Sequence, residues 1–140
     1  MTYQQFIKTL EHIALTQHNI RYAGYGDLYR DLDSNPSLKY GVFYLTPNQH
    51  QLQGDTVLFS VNAFVIDRLI NEEGDNTLQV QSSAKEVLDN IFRVFCERYG
   101  ADIYGSVIYQ MFTQKFSDLT AGCYAIITFA LPVDTICVDE

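Results

Sequence analysis

The stretch Gly54–Leu69, GDTVLFSVNAFVIDRL, constrains the fold more than any other part of the chain. Between Thr56 and Ile66 only Ser60 and Asn62 interrupt a run of strand-forming residues. On a strand, Val57, Phe59, Val61, Ala63 and Val65 share one face, and Leu58, Ser60, Asn62, Phe64 and Ile66 share the other. One wholly apolar face beside a mixed one predicts a strand buried on one side and partly covered on the other. Its length, about 11 residues against a usual 5–6, places it at the centre of a sheet.

The other segments are expected to pack against that strand. Residues 3–18 carry Phe6, Ile7, Leu10, Ile13 and Ala14 at helical spacing, with Thr2 as a cap. Residues 20–29, IRYAGYGDLY, have no clear period and read as a short extended segment entering a turn. RDLDSNPS, 30–37, reads as a polar loop. Tyr40–Leu45 is a strand halted by Thr46–Pro47, and Asn48–Gly54 is a polar connection that should protrude. Asn71–Asn76 is an acidic turn, and Thr77–Gln81 a semi-extended link. Ser82 or Ser83 then opens a second helix, with Ser83 and Glu86 at capping-box spacing. That helix runs to about Tyr99, where Gly100 stops it. Ser106–Phe112 is a strand, Lys115–Ala121 a turn, and Gly122–Pro132 the last strand, with Ala125, Ile127, Phe129 and Leu131 on one face. The acidic tail after Pro132 is expected to be loose. Helix–strand–strand–helix–strand–strand predicts an α+β fold: a mainly antiparallel sheet of four to five strands with two helices packed on one face.

The chain has 140 residues, 47% hydrophobic and 19% charged, which suits a single globular domain with a real core. Its net charge of −8, with no Lys/Arg cluster, argues against gripping a phosphate backbone. No apolar run approaches the roughly 20 residues of a membrane helix, and the first residues do not read as a signal peptide. A soluble protein made in a cytoplasm is expected. Cys96, Cys123 and Cys137 are odd in number and widely spaced, as free thiols would be.

Motifs for chemistry are sparse. GYGD lacks the Lys and Ser/Thr of a phosphate loop. Asp27, Asp31 and Asp33 are spaced somewhat like a calcium loop but lack its glycine and distal Glu. Ser60 and Ser106 have no nucleophile-elbow context. Cys123 could act as a nucleophile only if folding brought it to His50. Asp67, beside Arg68 at the end of the long strand, reads as an ion pair or turn cap before it reads as a catalytic acid. The expectation is a protein that is not an enzyme and has no cofactor and no metal. Its 10 Tyr residues suggest a contact surface.

The order of segments carries a further signal. The long strand ends Val65-Ile66-Asp67-Arg68-Leu69, and the second helix contains Leu88-Asp89-Asn90-Ile91. Near the C-terminus stand Phe116, Asp118, Gly122, Cys123 and Ala125, followed by a strand that ends at Pro132. Across residues 3–138 this order resembles the tail-terminator or tail-completion proteins of tailed bacteriophages. The resemblance implies a virion protein that forms a homo-oligomeric ring at the head–tail junction, six-fold or alternatively twelve-fold. Its partners would be copies of itself and other tail, neck or connector proteins, with DNA passing transiently and non-specifically, and no membrane. Asn48, Gln49, His50, Gln51, Asp67 and Arg68 are then candidates for the subunit interface. Glu72, Glu73 and Asp75 are candidates for a lumen or junction loop. The alternative is an intracellular protein-binding module, monomeric or dimeric, with an acidic, Tyr-rich face.

Overall fold

The computed structural model describes residues 1–33, 41–68, 75–115 and 119–132. In chain order the elements are α1 (Tyr3–Leu15), β1 (Tyr22–Tyr25), α2 (Leu28–Asp33), β2 (Val42–Gln53), β3 (Thr56–Arg68), α3 (Asp75–Tyr99), β4 (Asp102–Ile103), β5 (Ile108–Lys115) and β6 (Leu119–Pro132). The fold is α+β. Among the described residues six strands form one sheet in the order β1-β2-β3-β6, with β4 and β5 sharing the outer side of β6. Every pairing is antiparallel except β1 with β2.

The long strand holds the expected centre. β3 pairs with β2 on one side and along its whole length, Thr56 to Arg68, with β6 on the other. Phe59, Val61, Ala63 and Val65 are buried on the face that meets α1 and α3. Phe43 and Leu45 of β2 and Ala125, Ile127, Phe129 and Leu131 of β6 join them. From the helices come Phe6, Leu10 and Ile13, then Leu88, Ile91, Phe92 and Phe95. Aromatic rings interlock at the centre, with Phe6 lying 4.9 Å from Phe59, 5.5 Å from Phe95 and 5.7 Å from Phe129 between centroids. Edge-to-face and tilted pairs at such spacings add to the burial of their area.

Local signals set the helix ends. Thr2 accepts from the Gln5 N–H at 3.1 Å while Gln5 Oε1 accepts from the Thr2 N–H at 2.8 Å, a reciprocal cap that satisfies two end donors. Gly100, at φ +64°, supplies the left-handed residue that ends α3.

Four expectations need correction. A third helix, α2, stands where a polar loop was expected. Asp27 Oδ1 accepts from the Arg30 N–H at 3.2 Å and starts it. Leu28 and Leu32 then dock on Val42, Tyr44 and Ile66, on the sheet face opposite α1 and α3. The two-helix layer is correct for α1 and α3, and α2 is an addition on the other side.

β2 does not stop at Thr46–Pro47. It continues to Gln53, and Asn48–Gln53 is strand rather than protruding loop. A register shift between Pro47 and His50 bulges the strand where proline has no N–H to offer. Gly54, at φ +60°, makes the tight turn into β3.

α3 opens at Asp75, so Thr77–Gln81 is helical and Ser82 and Ser83 lie inside the helix rather than capping it. The sheet is larger than expected because β1 and β4, at four and two residues, are too short to show a period. Among the described residues no helix is long and apolar enough to cross a membrane. The turn expected over Lys115–Ala121 is also shorter, since Lys115 ends β5 and Leu119–Ala121 belong to β6; residues 116–118 and the tail 133–140 lie outside the described residues.

Candidate functional site

The residues singled out in the sequence do not converge. Register places His50 opposite Phe59 and Cys123 opposite Val65, both on β3. Six strand residues separate those positions, roughly 20 Å at the rise of an extended chain. Cys123 is fully buried, and desolvation pushes its thiol above the usual range, opposite to what a nucleophile needs. Among the described residues no group of three His, Cys, Asp or Glu side chains could hold a metal ion. Two of the aspartates that suggested calcium, Asp27 and Asp31, serve α2 instead, and the side chain of Asp33 lies outside the described residues. Asp27 caps it, and Asp31 accepts from the Tyr44 hydroxyl and lies 3.3 Å from Arg30 Nε. That hydroxyl holds the Asp31 carboxyl below the ordinary carboxylate range; burial and the same bond push Tyr44 well up.

The interface candidates fall into two places. Asn48 is built into the sheet: its Nδ2 donates to Asn62 Oδ1 at 3.0 Å, and Asn62 Nδ2 donates to Thr46 Oγ1 at 3.1 Å. Gln49, His50 and Gln51 belong to β2, and their side chains lie outside the described residues. Asp67 and Arg68 are exposed at the far end of β3, where Asp67 Oδ1 accepts from the Arg68 N–H at 2.8 Å. From Phe59 to Asp67 is roughly 26 Å of strand, so the two groups cannot belong to one small contact. Asp67 borders a shallow hollow with Asn19, Asn76, Gln79 and Ser83. Of the lumen candidates, Glu72 and Glu73 lie outside the described residues, and Asp75 is the first residue of α3.

What the sheet does present is a second face, covered by α2 only over Val42, Tyr44 and Ile66, and two ends. On the face turned from α1 and α3, Ser60, Asn62 and Phe64 of β3 lie beside Tyr124, Ile126 and Thr128 of β6, with Ile108, Gln110 and Phe112 of β5 beyond. None of these is charged, in a chain that is 19% charged. Phe64 stacks on Tyr124 at 5.1 Å and meets Phe112 edge-on at 6.2 Å.

Among the described residues, β1 at one end of the sheet pairs with β2 alone, and β5 at the other pairs with β6 alone. β5 is anchored from the helix layer. The Tyr109 hydroxyl donates to Asp89, which also holds Lys85 Nζ at 2.9 Å, and Lys85 sits 4.6 Å from the Tyr109 ring centre. Gln81 Nε2 donates to the Phe112 carbonyl at 3.1 Å.

These ends were missed in the sequence, although one signal was there. Residues 105–114, GSVIYQMFTQ, contain neither a charge nor a proline, the two commonest guards of an exposed sheet edge. No model of a known protein family matches the chain, and no curated protein matches it.

Proposed function

We propose that this chain is a structural subunit that closes into a ring at the head–tail junction of a tailed bacteriophage, in the manner of a tail terminator or tail-completion protein. The order of segments through Val65–Leu69, Leu88–Ile91 and Phe116–Pro132 is the source of the phage assignment. The observation that supports the assembly reading is the open sheet, whose two end strands each have one partner among the described residues. A subunit with two unlike ends joins its copies head to tail, and such contacts give a ring when the rotation closes. An acidic protein suits an opening through which DNA must slide, since its field repels phosphate. Glu72, Glu73 and Asp75 are the carboxylates assigned to that opening. Neighbours on either side of the ring would be tail, neck or connector proteins.

Native mass spectrometry of the full chain, alone and after mixing with tail tubes, tests this reading. The expected result is one closed species, six-fold or twelve-fold, with no ladder of intermediate sizes. A chain that stays monomeric or dimeric in both conditions would overturn the ring and favour a small binding module with an acidic, Tyr-rich face.

A further inference from the structure

We propose that the joint between neighbouring copies is a strand-to-strand pairing, in which β5 of one copy adds to β1 of the next and lays its α3-side residues into the groove beside α1. This rests on the ring reading and names the surfaces it would use.

The need for a partner is clearest at β5. Among the described residues its eight positions form the outer edge of the sheet, with Ile108 59% exposed and Met111 42% exposed. Soluble proteins blunt such edges with charge, proline, bulges or shortness. Up to Gln114 this strand has no charge or proline, and its register with β6 is unbroken. Left bare, it would template uncontrolled aggregation.

At the opposite end, β1 offers the matching half. The Tyr22 and Gly26 N–H groups donate across to Gly41 and Leu45 of the β2 side at 3.3 and 3.1 Å. Backbone groups alternate along a strand, so those of Ala23 and Tyr25 face outward. They open onto a groove between β1 and α1, bordered by Tyr3, Ile7, Lys8, Glu11 and Tyr25. Tyr3 and Tyr25 share a hydroxyl–hydroxyl hydrogen bond of 3.0 Å at one end of it. Glu11 Oε1 is buried there with no hydrogen bond, its Lys8 Nζ neighbour standing 3.7 Å away. An entering side chain with a hydroxyl, such as Thr113, has an acceptor waiting.

Direction and facing agree. β1 runs with β2, β2 against β3, β3 against β6 and β6 against β5, so β1 and β5 run in opposite senses. Rotation about an axis along the strands preserves those senses, and the joint is therefore antiparallel. The same rotation keeps the helix layer on one side. Tyr109, Met111 and Thr113 lie opposite Ala125, Cys123 and Ala121 and share the helix side of β5, so they meet the α1 groove of the neighbour. Strand addition supplies affinity from main-chain bonds and specificity from alternate side chains.

The test is disulfide cross-linking of full-length chains carrying single substitutions. Tyr25→Cys mixed with Met111→Cys or with Thr113→Cys should give covalent dimers under mild oxidation, while each variant alone gives none above the wild-type background. Self-linking of Met111→Cys would mean a symmetric β5–β5 joint and overturn the proposal. No mixed link, in an assembly that mass spectrometry shows to be closed, would overturn the strand joint while leaving the ring intact. Absence of any closed assembly would overturn both. As a second readout, Met111→Lys and Thr113→Lys change exposed positions, so circular dichroism should stay as in wild type. The concentration needed for assembly should rise at least tenfold, and unchanged assembly would count against the joint.

Discussion

Phe129→Ala tests the layer arrangement most severely. Phe129 is fully buried in β6, and its ring lies 4.8 Å from Phe95, 5.7 Å from Phe6 and 5.8 Å from Phe92. The substitution removes one side chain from the meeting point of both long helices and the sheet. Truncating a buried Phe costs about 3–5 kcal/mol, through lost transfer energy and the cavity left behind. The upper half of that range is expected here, because each aromatic pair adds about 0.5–1.5 kcal/mol beyond its area. The walls also come from three elements, which limits collapse into the hole. Phe64→Ala is the control. Phe64 is half-buried on the α2 side of the sheet, at the margin of the small Leu28–Leu32 cluster, and its loss should cost about 1–2 kcal/mol on area alone. Urea denaturation of dilute protein, followed by far-ultraviolet circular dichroism, would report both with an unchanged m-value. A cost under 1 kcal/mol for Phe129, or one no larger than for Phe64, would refute the assignment of this face as the core.

Gly122→Ala should destabilise although it adds one methyl group. Its Cβ would stand 2.0 Å from the Val65 carbonyl oxygen and 3.2 Å from Ile66 Cα, so backbone must move; the overpacking range is about 1–3 kcal/mol, and an unaltered Tm would contradict the strand register. Asp31 is held below its ordinary range, so its stabilising bond to Tyr44 is present above the unfolded carboxylate pKa and lost as pH falls through the folded one. The Tm gap between wild type and Tyr44→Phe should therefore shrink from pH 7 towards pH 3, and a constant gap would dismiss the pair. Cys123 should resist alkylation in the folded protein, and rapid labelling located there by mass spectrometry would show that β6 is not buried as described. Reversing Glu72, Glu73 and Asp75 to Lys should leave the circular dichroism spectrum intact while lowering the infectivity of particles that carry the variant; full infectivity would remove those residues from the opening.

The strong elements were legible because their own residues decide them. β3 shows its two faces in alternation, α1 shows its buried stripe and its Thr2 cap, and Gly100 marks the end of α3. The first two turns of α3 were not legible. Leu78 is 73% exposed there and, Val80 apart, the residues from Asp75 to Ser82 are polar, so no amphipathic stripe announces a helix. The second half of β2 was hidden for a related reason. Asn48–Gln53 has poor strand propensity, and it is strand because β3 offers a long partner across a two-residue turn. α2 was masked by its polar composition, and only the docking of Leu28 and Leu32 reveals why it forms. The sheet ends lie one step further from the sequence. Whether a strand is an edge depends on which neighbours it lacks, a property of topology that no segment states by itself. The uncharged run before Lys115 was the one visible hint.

Electron microscopy addresses the central claim most directly, with the full chain imaged alone and its antibody applied to intact virions. The account predicts annuli of repeated subunits around an opening, and label confined to the point where head meets tail. Isolated subunits together with unlabelled virions would contradict it.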